Sequence, residues 1–149
     1  MDAAGVMTDN KNLVLKNRIG EIKRLFKAFE SFCRKKCPDA HFKYVMQLSL
    51  EEIFTNIVKY GYDDSREHEI AVRFEWLAQR LRVSFEDDGV PFNPLTAAEP
   101  DVSAALKERR IGGLGIHMVR TLMDRVSYER VKNKNILTFE KQIAVEDGP

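Results

Sequence analysis

A chain of 149 residues, 44% hydrophobic and 32% charged, has the length of one domain and enough apolar material for a buried core, which excludes a disordered protein. Lys and Arg number 24 against 23 Asp and Glu, a net charge of +1, so no global field draws the chain to nucleic acid or an anionic membrane. No segment approaches the roughly 18 uninterrupted apolar residues of a membrane span, and residues 1–12 are polar, so the expectation is a cytoplasmic protein with no nucleic-acid or membrane partner.

Residues 12–16 (NLVLK) form the first predicted strand. From Asn17, apolar residues at Ile19, Ile22, Leu25, Phe26, Phe29 and Phe32 follow helical spacing, with Asn17 as cap and Pro38 as stop after the basic run Arg34-Lys35-Lys36. Cys33 and Cys37 fall in this segment, and their number and placement fit reduced thiols better than a disulfide scaffold. A zinc site would need two further ligands, and His41 alone is near. Asp39 opens a longer helix that reaches about Tyr60 and stops at Gly61, its apolar stripe being Met46, Leu50, Ile53, Phe54 and Ile57.

Two alternating runs, 68–76 and 80–86, predict an antiparallel hairpin. Residues 87–94 (DDGVPFNP) are a turn cluster. The aperiodic segment that follows, with Pro94 and Pro100, is a predicted lid over 93–111 with a helical turn near 102–107. A glycine run at 112–115 opens a helix to about Asp124, and strands at 125–131 and 136–143 flank a turn at 132–135 (KNKN). The order predicts an α+β fold, a two-layer sandwich with helices on one face of a mostly antiparallel sheet, in a single domain over 1–149.

Three groups carry chemistry. Glu52 and Asn56, four apart, lie one above the other on one helix face at a cleft edge, offering a base and an oxygen ligand for a hard cation. Asp87, placed at a strand end, can accept from an exocyclic amine, and Gly89 lets the backbone approach a flat ring. The glycine run leaves unpaired N–H groups at a helix start, a phosphate site. It is not a dinucleotide-binding turn, because the third glycine of that spacing would be Met118 and the run follows a polar connection.

The order of these groups carries a resemblance. Leu50-Glu51-Glu52-Ile53-Phe54-Thr55-Asn56 with Gly61-Tyr62 resembles the N box of the Bergerat-fold (GHKL) ATPases. Asp87-x-Gly89-x-Pro91-Phe92 and Gly113-x-Gly115-Ile116-x-Met118-Val119-Arg120 resemble the two glycine boxes, and Leu137-Thr138-Phe139-Glu140 the strand whose threonine reaches the nucleotide. The short single domain is most similar to the anti-sigma-factor serine kinases of the RsbW and SpoIIAB type. The resemblance implies ATP and Mg²⁺ as cofactors, Asn56 as Mg²⁺ ligand and Glu52 as catalytic base. It implies that Asp87, Gly89 and Thr138 bind the adenine half, that Gly113, Leu114 and Gly115 hold phosphates, and that lid arginines Arg109 or Arg110 meet them. Tyr60 stands where many relatives carry His.

The implied function is phosphorylation of a serine on a STAS-type anti-sigma-factor antagonist, within a partner-switching system that includes a sigma factor and a kinase homodimer. The alternative is a catalytically silent, nucleotide-dependent module that sequesters a sigma factor. A histidine-kinase ATP-binding half would need a phosphoacceptor helix upstream of the N box, whereas His68-Glu69 lies downstream in a predicted strand.

Overall fold

A computed structural model describes residues 9–34, 36–93, 95 and 113–143. Five strands form one antiparallel sheet, β1 (Asn10–Lys16), β2 (Glu69–Leu77), β3 (Arg80–Asp87), β4 (Arg125–Val131) and β5 (Lys134–Gln142), in the order β1-β2-β3-β5-β4. Helices α1 (Ile22–Cys33), α2 (Ala40–Tyr60) and α3 (Gly113–Leu122) cover one face of it. This is the predicted α+β sandwich, with every strand pair antiparallel. Among the described residues no helix is long and apolar enough to cross a membrane.

The core follows from two periodicities. Alternate residues of the strands, Ile70, Val72, Phe74 and Trp76 of β2, Leu81, Val83 and Phe85 of β3, Leu137 and Phe139 of β5, turn to the helices and are buried. They meet Leu25 and Phe29 of α1, Met46, Leu50, Ile53 and Phe54 of α2, and Ile116 and Val119 of α3. Phe32 stacks on Phe74 and Trp76, with ring centroids 5.7 and 6.1 Å apart, fixing α1 to the sheet.

The predicted caps divide. Asp39 caps α2 by accepting from the Phe42 N–H at 2.8 Å. Asn17 caps nothing. Its backbone N–H donates to His68 O and its side chain accepts from the His68 N–H at 2.8 Å, which extends the β1–β2 ladder, and a short 3₁₀ turn at Ile19–Glu21 then leads into α1. A second correction concerns the cysteines. The chain turns after Cys33, with the Cys37 N–H donating to Cys33 O, and this brings the two Cα atoms to 5.0 Å in a disulfide where the sequence suggests free thiols.

The last hairpin is tighter than predicted. Val131 pairs with Lys134, so the turn is only Lys132-Asn133, and both have positive φ, 51° and 64°. Two positive-φ residues make a type I′ turn, whose twist matches the flanking strands. Lys134 and Asn135, expected in the turn, are thereby strand residues, and Asn135 is buried.

Where the chain leaves α2, His68 lies between two carboxylates. Its Nε2 is 2.7 Å from Asp64 Oδ1, its Nδ1 is 3.0 Å from Asp88 Oδ1, and its ring stacks on Tyr62 at 4.2 Å. The Asp64 hydrogen bond holds the imidazole pKa above its ordinary value, and the same bond holds Asp64 below its own. A raised imidazole pKa means stability that is complete below about pH 6.5 and is lost as pH rises through the folded value. The lowered Asp64 contributes above its unfolded value and loses that contribution on acidification. The pair therefore stabilises most between the two, and the melting temperature is expected to fall as pH rises through the neutral range. In His68→Gln that fall should flatten, which melting curves across the neutral range would check.

Candidate nucleotide site

A cavity of about 390 Å³ opens between α2, the end of β3 and the last hairpin. Helix α2 contributes Ile53, Asn56, Ile57 and Tyr60; the segment from the β3 end contributes Asp87, Val90, Pro91 and Phe92; Ile116, Tyr128, Asn135 and Leu137 complete the wall. A largely apolar cleft with few fixed polar groups is the shape of a small-molecule site.

Asp87 is the last residue of β3, on its inward face, and is only 6% exposed. Burial pushes its carboxyl above the ordinary range, opposed by hydrogen bonds from Asn135 and the Gly89 N–H. Both bonds go to Oδ1, at 3.0 and 2.9 Å. Gly89 is required by close approach: a Cβ there would collide with Gly61 O, while the Val90 N–H donates to that same carbonyl at 2.8 Å. The end of α2 and the Asp87 loop are thus tied together.

Asn56 of α2 also lines the cavity, and its Nδ2 is buried with no hydrogen-bond partner among the described residues. A buried amide left unmatched carries a desolvation cost that a ligand can relieve. Glu52, one turn earlier, lines an adjoining groove with Gly115, His117, Met118, Thr121 and Leu122. Its carboxylate packs on the first turn of α3 so closely that a Cβ at Gly115 would strike it. Burial, with a smaller push from Glu51, raises its pKa above the usual carboxylate value. Gly113, Leu114 and Gly115 are the first residues of α3, whose opening N–H groups have no intrahelical acceptor.

The donor set fits a nucleotide with a hard cation. The Asn56 carboxamide offers an oxygen ligand of the kind Mg²⁺ takes, the Glu52 carboxylate offers a base, and a helix start supplies N–H groups for phosphate. Among the described residues no cluster of three or more His, Cys, Asp or Glu is placed to hold a metal ion.

The sequence matches the model of the Histidine kinase-like ATPase domain over residues 15–141. The chain belongs to that family. A serine/threonine-protein kinase, BtrW of Bordetella bronchiseptica, is 24% identical over 107 residues, 72% of this chain and 75% of that protein. The serine-protein kinases RsbW of Listeria monocytogenes and Bacillus subtilis are 32% and 30% identical, and the matches span just over half of each relative, 54% and 59%. A solved structure of the RsbU and RsbW domains of Rv1364c from Mycobacterium tuberculosis superimposes with a TM-score of 0.59 at 13% identity, covering 90% of this chain and 32% of that one. The fold and the resemblance to RsbW-type GHKL kinases both stand.

Within this ATPase domain the predicted site residues do not all converge. Asn56, Asp87 and Gly89 border the cavity or its loop, and Glu52 and Gly115 lie together beside it. Arg109, Arg110 and all of the predicted lid except Asn93 and Leu95 lie outside the described residues. Thr138 is a correction. Strand alternation puts it on the face away from the helices, where its hydroxyl pairs with Ser84 Oγ at 3.1 Å, and the inward residues of β5 are Asn135, Leu137 and Phe139. Thr138→Val is accordingly expected to leave nucleotide affinity within about twofold, since it removes one partly solvated hydroxyl pair; titration calorimetry would check this. The inward β5 residue that lines the cavity and bonds Asp87 is Asn135, which the sequence places in the turn. Tyr128 and Arg130, which hold Asn135, carry no motif at all.

Proposed function

We propose that this domain binds ATP with Mg²⁺ and transfers the terminal phosphoryl group to a serine of a STAS-type anti-sigma-factor antagonist. In this reading it is an anti-sigma factor of a partner-switching system, a homodimer in the cytoplasm that also holds a sigma factor. The observation that carries the reading is the grouping of polar residues: the buried Asp87 carboxylate and the Asn56 amide line one cavity, and Glu52 lies with Gly115 of the α3 start in the groove beside it. The similarity to RsbW and BtrW kinases supports the protein acceptor.

Asp87 would accept from the adenine amine, with Pro91 and Ile57 against the ring. Asn56 would fill the empty bonding capacity of its amide on the phosphate side and offer its oxygen to Mg²⁺. Mg²⁺ held there would neutralise phosphate charge, which favours attack on the terminal phosphoryl group of ATP with ADP as the leaving group. Glu52 lies in the groove beside the cavity, and its raised pKa suits it to take the proton from a serine hydroxyl.

The test is incubation with Mg-ATP and each STAS-type protein of the same genome, with phosphoserine read by mass spectrometry. One phosphorylated antagonist is expected. ATP binding with no transfer to any of them would mark the domain as a silent module that sequesters a sigma factor, and absence of ATP binding would overturn both readings.

A further inference from the structure

The β4–β5 hairpin reaches the Asp87 loop through one connected set of hydrogen bonds. Arg130 Nη1 donates to Gly89 O at 2.9 Å and to Asn135 Oδ1 at 3.0 Å. Tyr128 OH donates to the same Oδ1 at 2.5 Å. Asn135 Nδ2 in turn donates to Asp87 Oδ1 at 3.0 Å and to Val90 O at 2.9 Å. A carboxamide has two N–H donors and two acceptor positions on oxygen. In Asn135 all four are engaged, so its plane and the placement of its oxygen and nitrogen are fixed by partners on β3, β4 and the loop. Asp87 Oδ1 is saturated by Asn135 and the Gly89 N–H, whereas Oδ2 accepts from none of the described residues.

We propose that Asn135 and Arg130 are positioning residues that hold Asp87 with Oδ2 as its one spare acceptor, and so set selectivity for a purine carrying a 6-amino group, adenine over the 6-oxo purines hypoxanthine and guanine. The inference rests on the nucleotide reading above. An ionised carboxylate oxygen only accepts. Opposite a 6-amino group it gains a charge-assisted hydrogen bond; opposite a 6-oxo group two acceptors meet and both go unpaired. That discrimination requires the carboxylate to stay still. Without Asn135 the group can turn about its terminal torsion, which is broad, and either oxygen can retreat from an unfavourable partner. Arg130 acts one step further out, fixing Gly89 O and the Asn135 oxygen together, so the loop and the carboxamide keep one register.

Equilibrium binding of the magnesium complexes of ATP, ITP and GTP to the full chain, Asn135→Ala and Arg130→Gln tests this, with thermal melting to confirm that each variant is folded. ITP differs from ATP at the 6-position, oxo in place of amino, and in the N1 proton that accompanies it. The wild-type chain is expected to favour ATP over ITP by about tenfold or more, and Asn135→Ala to reduce that ratio by about fivefold or more. Arg130→Gln, at a half-buried strand position, should reduce it in the same direction. A purely structural role would weaken ATP and ITP together and leave their ratio intact, and an intact ratio in both variants overturns the proposal. Equal binding of ATP and ITP by the wild-type chain also overturns it, while leaving the nucleotide reading standing. Failure of the wild-type chain to bind any of the three overturns that reading and this proposal with it.

Discussion

Glu52→Gln is expected to slow phosphoryl transfer to the antagonist by about 10²- to 10⁴-fold, the usual contribution of a positioned general base, while ATP affinity stays unchanged or rises. Gln keeps the length and volume that pack on Gly115, so the start of α3 is not disturbed. It removes the negative charge and the basicity. Because Glu52 lines the groove and not the cavity that holds Asp87, base recognition has no reason to suffer, and loss of a carboxylate near phosphates removes a repulsion. The pH profile provides a second readout. Burial raises the Glu52 pKa, so the transfer rate should climb with pH through a value above the ordinary carboxylate range, and the Gln variant should lack that limb. Glu51→Gln is the control: Glu51 is exposed, and its replacement should leave transfer within about twofold. Single-turnover transfer with saturating ATP, beside calorimetric ATP titrations, separates the two quantities. Transfer by the Glu52 variant within tenfold of wild type would remove Glu52 from the role of base.

The elements visible in the sequence were those whose local chemistry and tertiary fate agree. Helix α2 has a carboxylate cap at Asp39, an apolar stripe and a glycine at its end, and β2 and β3 alternate without interruption; each signal is strong over many residues. The misreadings occur where tertiary pairing decides. Asn17 has the side chain of a cap, yet the β1–β2 ladder takes it, because the backbone of His68 offers partners that a helix start does not need. At 132–135 the string KNKN suggests a four-residue turn, and nothing local says that Lys132 and Asn133 alone adopt positive φ. That two-residue difference matters more than its size suggests. It moves Asn135 into β5, and once the strand begins there, alternation sends Asn135, Leu137 and Phe139 inward and Thr138 outward. A motif match anchored on the identity of one threonine had no means of sensing the face it occupies. Arg130 and Tyr128 were invisible for a related reason: β4 is an edge strand whose residues alternate between exposed and half-buried, a pattern that resembles plain solvent exposure. The Cys33–Cys37 pairing likewise depends on a chain turn after α1, not on the spacing alone.

Asn56→Ala is expected to move binding and stability in opposite directions, and this makes it the more decisive variant. The Asn56 amide nitrogen is buried with no partner among the described residues, so the free protein bears the cost of desolvating it. Alanine removes that cost, estimated at about 1–3 kcal/mol, and adds a residue with the highest helix propensity in the interior of α2. The melting temperature of the free protein should therefore rise, by about 2–4 °C for each kcal/mol gained. If Asn56 holds phosphate and Mg²⁺ as proposed, its loss should at the same time weaken Mg-ATP binding by about 10- to 100-fold, the worth of a hydrogen bond to a charged group. The stabilisation that ATP confers on melting, which scales with the logarithm of ligand concentration over Kd, should shrink accordingly. A residue kept for packing would behave in the reverse way, losing stability on truncation and sparing the ligand. Melting curves with and without Mg-ATP distinguish the two cases in one experiment, and a variant that melts earlier while keeping its ATP-induced shift would take Asn56 out of the site. Asn56→Asp sharpens the comparison. It keeps an oxygen ligand of the same reach but places a second negative charge four residues from Glu52, so affinity should be lost most severely for ATP without Mg²⁺ and recovered in part when Mg²⁺ is added.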